Sequence, residues 1–167
     1  MKEAEIPMLA VIGWSDSGKT TFVSELITAL KERGYNVVAI KYDAHRFQID
    51  KPGKDSWRLR QAGADTVFIS SDDKLAMIKS LSSQPTPEEM VATHLDGNCD
   101  LVVIEGYKHG PVPRVEIFRP DKYDEPVKRK EEVLERIINS GSRDELQDKA
   151  RKLINRIEKD ILRSDSR

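Results

Sequence analysis

Apolar positions recur along this chain with two different periods, and the places where one gives way to the other predict the order of its elements. Residues 8–12 are an unbroken apolar run, the pattern of a buried strand. Residues 21–33 carry Phe22, Val23, Leu26, Ile27 and Leu30 at helical spacing, with Glu25, Lys31, Glu32 and Arg33 placed largely on the opposite, solvent face. Gly34 follows as a C-terminal cap. Residues 36–41 carry four consecutive apolar residues between Asn36 and Lys41, which predicts a strand covered on both faces. A strand, a crossing helix and a second strand make a βαβ unit.

Residues 42–53 are polar and irregular, with Asp43, His45, Arg46, Asp50 and Lys51. Residues 54–62 read as a short helix stopped by Gly63, with Trp57 packed and Lys54, Arg58 and Arg60 available to solvent or an anion. Pattern alone leaves this stretch equally a solvated surface and a functional loop. Residues 65–70 and 74–80 read as two further strands. Thr86-Pro87-Glu88-Glu89 is a capping box opening a helix to about Leu95, with Met90, Val91 and Leu95 on its buried side and His94 as an ordinary helix residue. Residues 100–105 are Asp100, four apolar residues and Glu105, a buried strand that delivers a carboxylate to its C-terminal end.

Residues 106–113 form a turn-rich loop with Lys108 and His109. Residues 114–119 alternate apolar and charged side chains, predicting an edge or half-exposed strand. Residues 120–130 read as a charged surface excursion, and residues 131–139 have helical spacing, with a short strand as the alternative. Ser142-Arg143-Asp144-Glu145 is a second capping box, opening an amphipathic helix over about 143–162. Leu146, Ala150, Leu153, Ile154, Ile157 and Ile161 share one face, read as core or dimer contact because the other face carries both charge signs.

Composition narrows the class. With 167 residues, 38% hydrophobic and 34% charged, the chain can bury a core, and its net charge of −1 gives no overall attraction to nucleic acid or an anionic membrane. Cys99 is the single cysteine, which excludes an intrachain disulfide and a cysteine zinc cluster. The first seven residues lack a signal-peptide core, and no apolar run reaches membrane-spanning length, so a cytoplasmic location is expected.

The chemistry is concentrated in Gly13-Trp14-Ser15-Asp16-Ser17-Gly18-Lys19-Thr20, which matches G-x-x-x-x-G-K-[ST] between a predicted strand and a predicted helix. Two glycines allow backbone amides to converge on phosphate oxygens at the positive end of a helix. Lys19 then reaches the β- and γ-phosphates, and the Thr20 hydroxyl is placed to ligate Mg²⁺. Gly13 to Thr20 and the following Thr21 are the candidate nucleotide-binding residues. Asp16 would repel phosphate unless its carboxylate points away.

The run Lys41-Tyr42-Asp43-Ala44-His45, continued by Ile49-Asp50-Lys51-Pro52-Gly53-Lys54-Asp55-Ser56-Trp57-Arg58 and Arg60-Gln61-Ala62-Gly63-Ala64, closely resembles the segment after strand two in the molybdopterin-guanine dinucleotide biosynthesis protein B family. Ile104-Glu105-Gly106-Tyr107-Lys108 falls where that family has its E-G-[FY]-K element. The resemblance spans about residues 8–119 and weakens after Arg119. Tyr42 stands where the family often has histidine, and no N-K-x-D element is present to read guanine.

The resemblance implies an α/β fold, a three-layer P-loop NTPase with a mostly parallel sheet flanked by helices, in a single nucleotide-binding domain. It implies GTP and Mg²⁺ as ligands, slow GTP hydrolysis, and an accessory role in molybdenum cofactor maturation. The implied partners are a second copy of the chain, a molybdopterin guanylyltransferase and molybdoenzymes, with no nucleic acid or membrane. By analogy with related phosphate-loop proteins such as dethiobiotin synthetase, Thr20, Asp43 and Glu105 are the implied metal set. Lys19, with Asp43 or Asp16 orienting water, is the implied catalytic group. Lys51, Lys54 and Arg58 could hold the phosphate of a molybdopterin-type ligand. A small-molecule kinase and a nucleotide-dependent adaptor without catalysis remain the alternatives.

Overall fold

In the computed structural model, residues 6–42, 49–95 and 97–162 are described. Their elements run Met8–Ile12 (β1), Lys19–Glu32 (α1), Val37–Lys41 (β2), Asp55–Gln61 (α2), Thr66–Ser70 (β3), Leu75–Lys79 (β4), Pro87–His94 (α3), Leu101–Glu105 (β5), Arg114–Phe118 (β6), Glu135–Ile138 (β7) and Arg143–Ile157 (α4). The backbone divides into two units, one containing the described residues up to Tyr42 and from Val91 onward, the other containing residues 49–90.

The larger unit is built on a five-stranded sheet in the order β2-β5-β1-β6-β7, with every neighbouring pair parallel. Side chains alternate across it, so each strand serves two layers. Leu9, Val11, Leu101, Val103, Val115 and Ile117 face α1 and α4 in the main core. Met8, Val102 and Ile104 face the other way, toward Val91, Tyr42 and Tyr107. The result is the expected mostly parallel sheet flanked by helices.

The α4 stripe is core: Leu146, Ala150, Leu153, Ile154 and Ile157 are buried, and a π turn at Glu158–Leu162 adds Ile161. Ser142 caps this helix by accepting from the Glu145 N–H at 3.4 Å. The Thr86–Glu89 box is reciprocal, with bonds of 2.8 and 3.2 Å. Gly34 and Tyr35 return their amides to Lys31 and Leu30 to close α1.

Four expectations give way. Glu25 is not on a solvent face but buried, where Arg143 at 2.6 Å and Gln147 at 3.1 Å from α4 satisfy its carboxylate. The run 36–41 is not covered on both faces: β2 is an edge strand and its residues are half-buried or exposed. The alternating run 114–119 is not an edge; β6 lies between β1 and β7 with Val115, Glu116 and Ile117 buried. Residues 131–139 form a 3-10 turn at Lys130–Glu132 and then β7, the strand alternative.

In the smaller unit β3 and β4 make an antiparallel hairpin, Phe68 opposite Met77, beside α2. Arg60 is not available to an anion but pairs with Asp50 at 3.3 Å. Among the described residues no helix is long and apolar enough to cross a membrane.

Candidate functional site

The turn between β1 and α1 is shaped by two close approaches. A Cβ at Gly13 would lie 2.4 Å from the Ile117 carbonyl oxygen and 2.6 Å from Ser17 Oγ. Gly18 has φ +97, and a Cβ there would meet Asn139 Nδ2 at 2.4 Å. Glycine is therefore required at Gly13 by the backbone carbonyl as well as by conformation, and at Gly18 chiefly by its left-handed φ. Asn139, at the end of β7, donates through the same amide nitrogen to the Ser17 carbonyl at 2.8 Å and fixes the loop from outside.

The loop ends in a 14-residue helix that no side chain among the described residues caps and that has no acid in its first turn. Its leading amides and positive dipole end are thus left to an anion. Ser17 is fully buried, and its Oγ has no hydrogen-bond partner among the described residues. A buried donor without a partner is costly, and a phosphate oxygen would satisfy it.

At the start of α1 the Thr20 hydroxyl lies 2.9 and 3.0 Å from the two carboxylate oxygens of Glu105, at the end of β5. The sheet order makes this meeting: β1 and β5 are neighbours in register, with Val11 beside Glu105. Glu105 is also engaged by Lys41 Nζ at 2.8 Å, from the end of neighbouring β2. Lys19 folds back to donate to the Trp14 carbonyl at 2.6 Å. Burial pulls the Lys19 ammonium below the usual lysine range; Glu105 opposes this, and Lys108 and Lys41 reinforce it. A hydroxyl and a carboxylate side by side are hard oxygen donors of the kind Mg²⁺ takes. Asp43, the third member of the implied metal set, lies outside the described residues, as do His45 and Arg46. Among the described residues no three acidic, His or Cys side chains gather to hold a metal.

The outer half of the loop is gripped by Lys122, Tyr123 and Glu125, within the 120–130 segment expected to be a surface excursion. Lys122 Nζ meets the Asp16 carboxylate at 2.8 Å, and the Tyr123 hydroxyl donates to the Ser15 carbonyl at 2.7 Å. The Trp14 indole donates to the Glu125 carbonyl at 2.7 Å and stacks on Tyr123 with centroids 5.7 Å apart. Lys108 Nζ stands 5.7 Å from the Trp14 ring centre, within cation–π range, whereas His109 is exposed. Asp16 therefore turns to Lys122, as a phosphate-binding loop requires. Its carboxyl is held below the usual range first by the Lys122 hydrogen bond and then by the Lys122 charge.

Thr21 is exposed on the first turn of α1. Lys51, Lys54 and Arg58 are all exposed at the start of α2 in the smaller unit, Lys54 and Arg58 one helical turn apart. Sequence reasoning missed Lys41, Asn139, Lys122 and Tyr123. Lys41 had a signal, being the charged last residue of a strand beside the β5 carboxylate. The others are brought to the loop by chain segments with no recognisable spacing.

Comparison with known proteins bears on this site directly. A family model described as "Molybdopterin guanine dinucleotide synthesis protein B" (MobB) matches residues 8–139. The match thus continues past Arg119, where the resemblance had been expected to weaken, and takes in the loop-gripping segment, β7 and Asn139. A molybdopterin-guanine dinucleotide biosynthesis adapter protein from Haemophilus influenzae is 37% identical over 118 residues, which is 70% of this chain and 66% of the relative. One from Escherichia coli is 39% identical over 119 residues, 68% of this chain and 66% of the relative. The chain thus spans slightly less than two thirds of these curated relatives. A solved molybdopterin-guanine biosynthesis protein B superposes with TM-score 0.63 at 28% identity, over 90% of this chain and 99% of that one. Bacillus subtilis MobB gives 0.58 at 27% identity, over 80% and 78%. The backbone is of the phosphate-loop NTPase type.

Proposed function

We propose that this chain, which belongs to the MobB family, binds GTP with Mg²⁺ at residues 13–21 and serves as an adapter in molybdopterin guanine dinucleotide biosynthesis. The observation that carries the reading is the meeting of Thr20 and Glu105, at 2.9 Å, at the mouth of an uncapped helix. The curated relatives are named adapter proteins of that pathway.

In this reading the leading amides of α1 and the buried Ser17 hydroxyl take phosphate oxygens. Lys19 exchanges the Trp14 carbonyl for the terminal phosphates. Thr20 and Glu105, with Asp43 as the proposed third oxygen ligand, hold the metal. Bound Mg²⁺ supplies charge neutralisation between the phosphates. Lys41, paired with Glu105, holds that carboxylate in place against Thr20. Hydrolysis is expected to be slow, because Asp16 is committed to Lys122 and leaves only Asp43 to orient water. Guanine, the pathway partners and a homodimer are proposed from the resemblance to the family, and a cytoplasmic location from the sequence expectation above. Lys51, Lys54 and Arg58 are proposed to hold a phosphate of the pathway's cofactor.

Isothermal titration with GTP and with ATP, each with and without Mg²⁺, tests the reading. GTP is expected to bind more tightly, and more so with the metal; tighter ATP binding overturns the guanine assignment. Light scattering on the purified chain tests the dimer, and a monomer at all concentrations removes it. Phosphate release that a guanylyltransferase neither changes nor requires would favour a simple GTPase over an adapter.

A further inference from the structure

The segment that grips the outer half of the loop is fixed at both ends independently of it. At the near end the Arg119 guanidinium meets Asp121 at 3.0 and 3.1 Å, and the Lys122 and Tyr123 amides return to the Arg119 carbonyl at 3.2 and 3.0 Å. At the far end the Val127 N–H donates to Glu116, which is fully buried in β6. Arg136 in β7, directly opposite in the register, engages Glu116 at 3.0 Å and also donates to the Lys128 carbonyl. Between these anchors the segment touches three consecutive loop residues, Trp14, Ser15 and Asp16. A strand of chain secured at both ends imposes its shape on what it touches.

Charge gives that contact a purpose. Asp16 has φ 53, an uncommon left-handed conformation for a residue other than glycine, and it puts a carboxylate inside a loop that holds phosphates. Unpaired, the carboxylate would repel a polyphosphate; at 2.8 Å Lys122 cancels it. The Tyr123 hydroxyl pins the Ser15 carbonyl, so that this acceptor is engaged from outside the loop.

We propose that Lys122 and Tyr123 are positioning residues for polyphosphate binding, Lys122 neutralising Asp16 and Tyr123 holding the Trp14–Ser15 backbone in its binding conformation. The inference rests on the reading of residues 13–21 as a nucleotide phosphate site, and names how that site tolerates its own acid.

The test uses the full chain with Trp57→Phe, which leaves Trp14 as the single indole reporter, since the sequence holds 2 tryptophans. Calorimetric titration with GTP and with inorganic pyrophosphate, both in Mg²⁺, is paired with Trp14 emission and thermal melting. Lys122→Ala is expected to weaken both ligands about three- to five-fold, the scale of one exposed charge pair. Lys122→Arg retains the affinity. Adding Asp16→Asn to Lys122→Ala restores it, because the uncancelled carboxylate is gone; a purely structural role for Lys122 would not be rescued this way. Tyr123→Phe keeps the stack on Trp14 but loses the Ser15 tie, so binding weakens while emission stays close to the parent. Parent-like affinity in Lys122→Ala, or a double variant no better than the single, overturns the inference while the phosphate site stands. If the parent binds neither ligand and Lys19→Ala changes nothing, the phosphate-site reading itself falls.

Discussion

At its Thr20 end the loop presents side-chain chemistry: a lysine, a hydroxyl and a carboxylate shared with Lys41, all within 3.0 Å of a partner. At its Trp14–Asp16 end it presents almost none, and is instead clasped by a ring, two carbonyl hydrogen bonds and one ion pair. The first end is made by the parallel sheet, whose strands deliver Glu105 and Lys41 to one edge. The second is made by an irregular segment held on a buried glutamate. On the proposed reading, one end of the loop is built for the ligand and the other for its own shape.

The sharpest way to break this contrast is at the anchor. Glu116→Ala leaves Arg136 facing a buried gap and the Val127 amide without its acceptor. A loss of about 3–5 kcal/mol is expected, as when one partner of a buried pair is removed, read by urea unfolding. Weakened nucleotide binding at temperatures where the chain is still folded would tie that anchor to the loop. Lys19→Ala should act in the opposite sense: nucleotide affinity falls about 10- to 100-fold with the loss of a charge-assisted bond, while the melting temperature barely moves. Equal loss of stability would show that Lys19 serves the fold.

Glu105→Gln comes next. It keeps the shape but removes the metal-attracting charge, so nucleotide affinity should lose its Mg²⁺ dependence, a change of about 10-fold; unaltered dependence moves the metal away from Thr20. The smallest effect is expected with pH. The folded-state pKa of Asp16 is depressed by Lys122, so its contribution is present above the unfolded pKa and is lost as pH falls through the lower folded value. Trp14 emission in the Trp57→Phe chain should therefore hold steady down to about pH 4, the ordinary aspartate range, and shift only below it. A transition centred within that range would mean that the ion pair does not form.

Much of the fold was legible because periodicity reports burial, and it failed where burial depends on a partner. The alternation in residues 114–119 reads as an edge strand if charges must be solvated. Glu116 escapes that rule by pairing with Arg136, and Arg114 by donating to the Gly110 and Val112 carbonyls. Glu25 escapes it through Arg143 and Gln147, more than a hundred positions away. Conversely, the apolar run of β2 reads as central, yet the strand order leaves it at the edge.

Residues 13–20 by themselves pointed to a phosphate loop, because glycine spacing and a Lys-Thr pair at a strand–helix turn are local requirements of phosphate chemistry. The run of residues 49–58 likewise carried the family. Only the tertiary structure decided that Thr20 meets Glu105, since strand order, not spacing, brings β5 beside β1. It alone decided that Asp16 is cancelled by a lysine 106 positions later. Contacts between distant segments are selected by packing and buried-charge pairing, and neither leaves a period in the sequence.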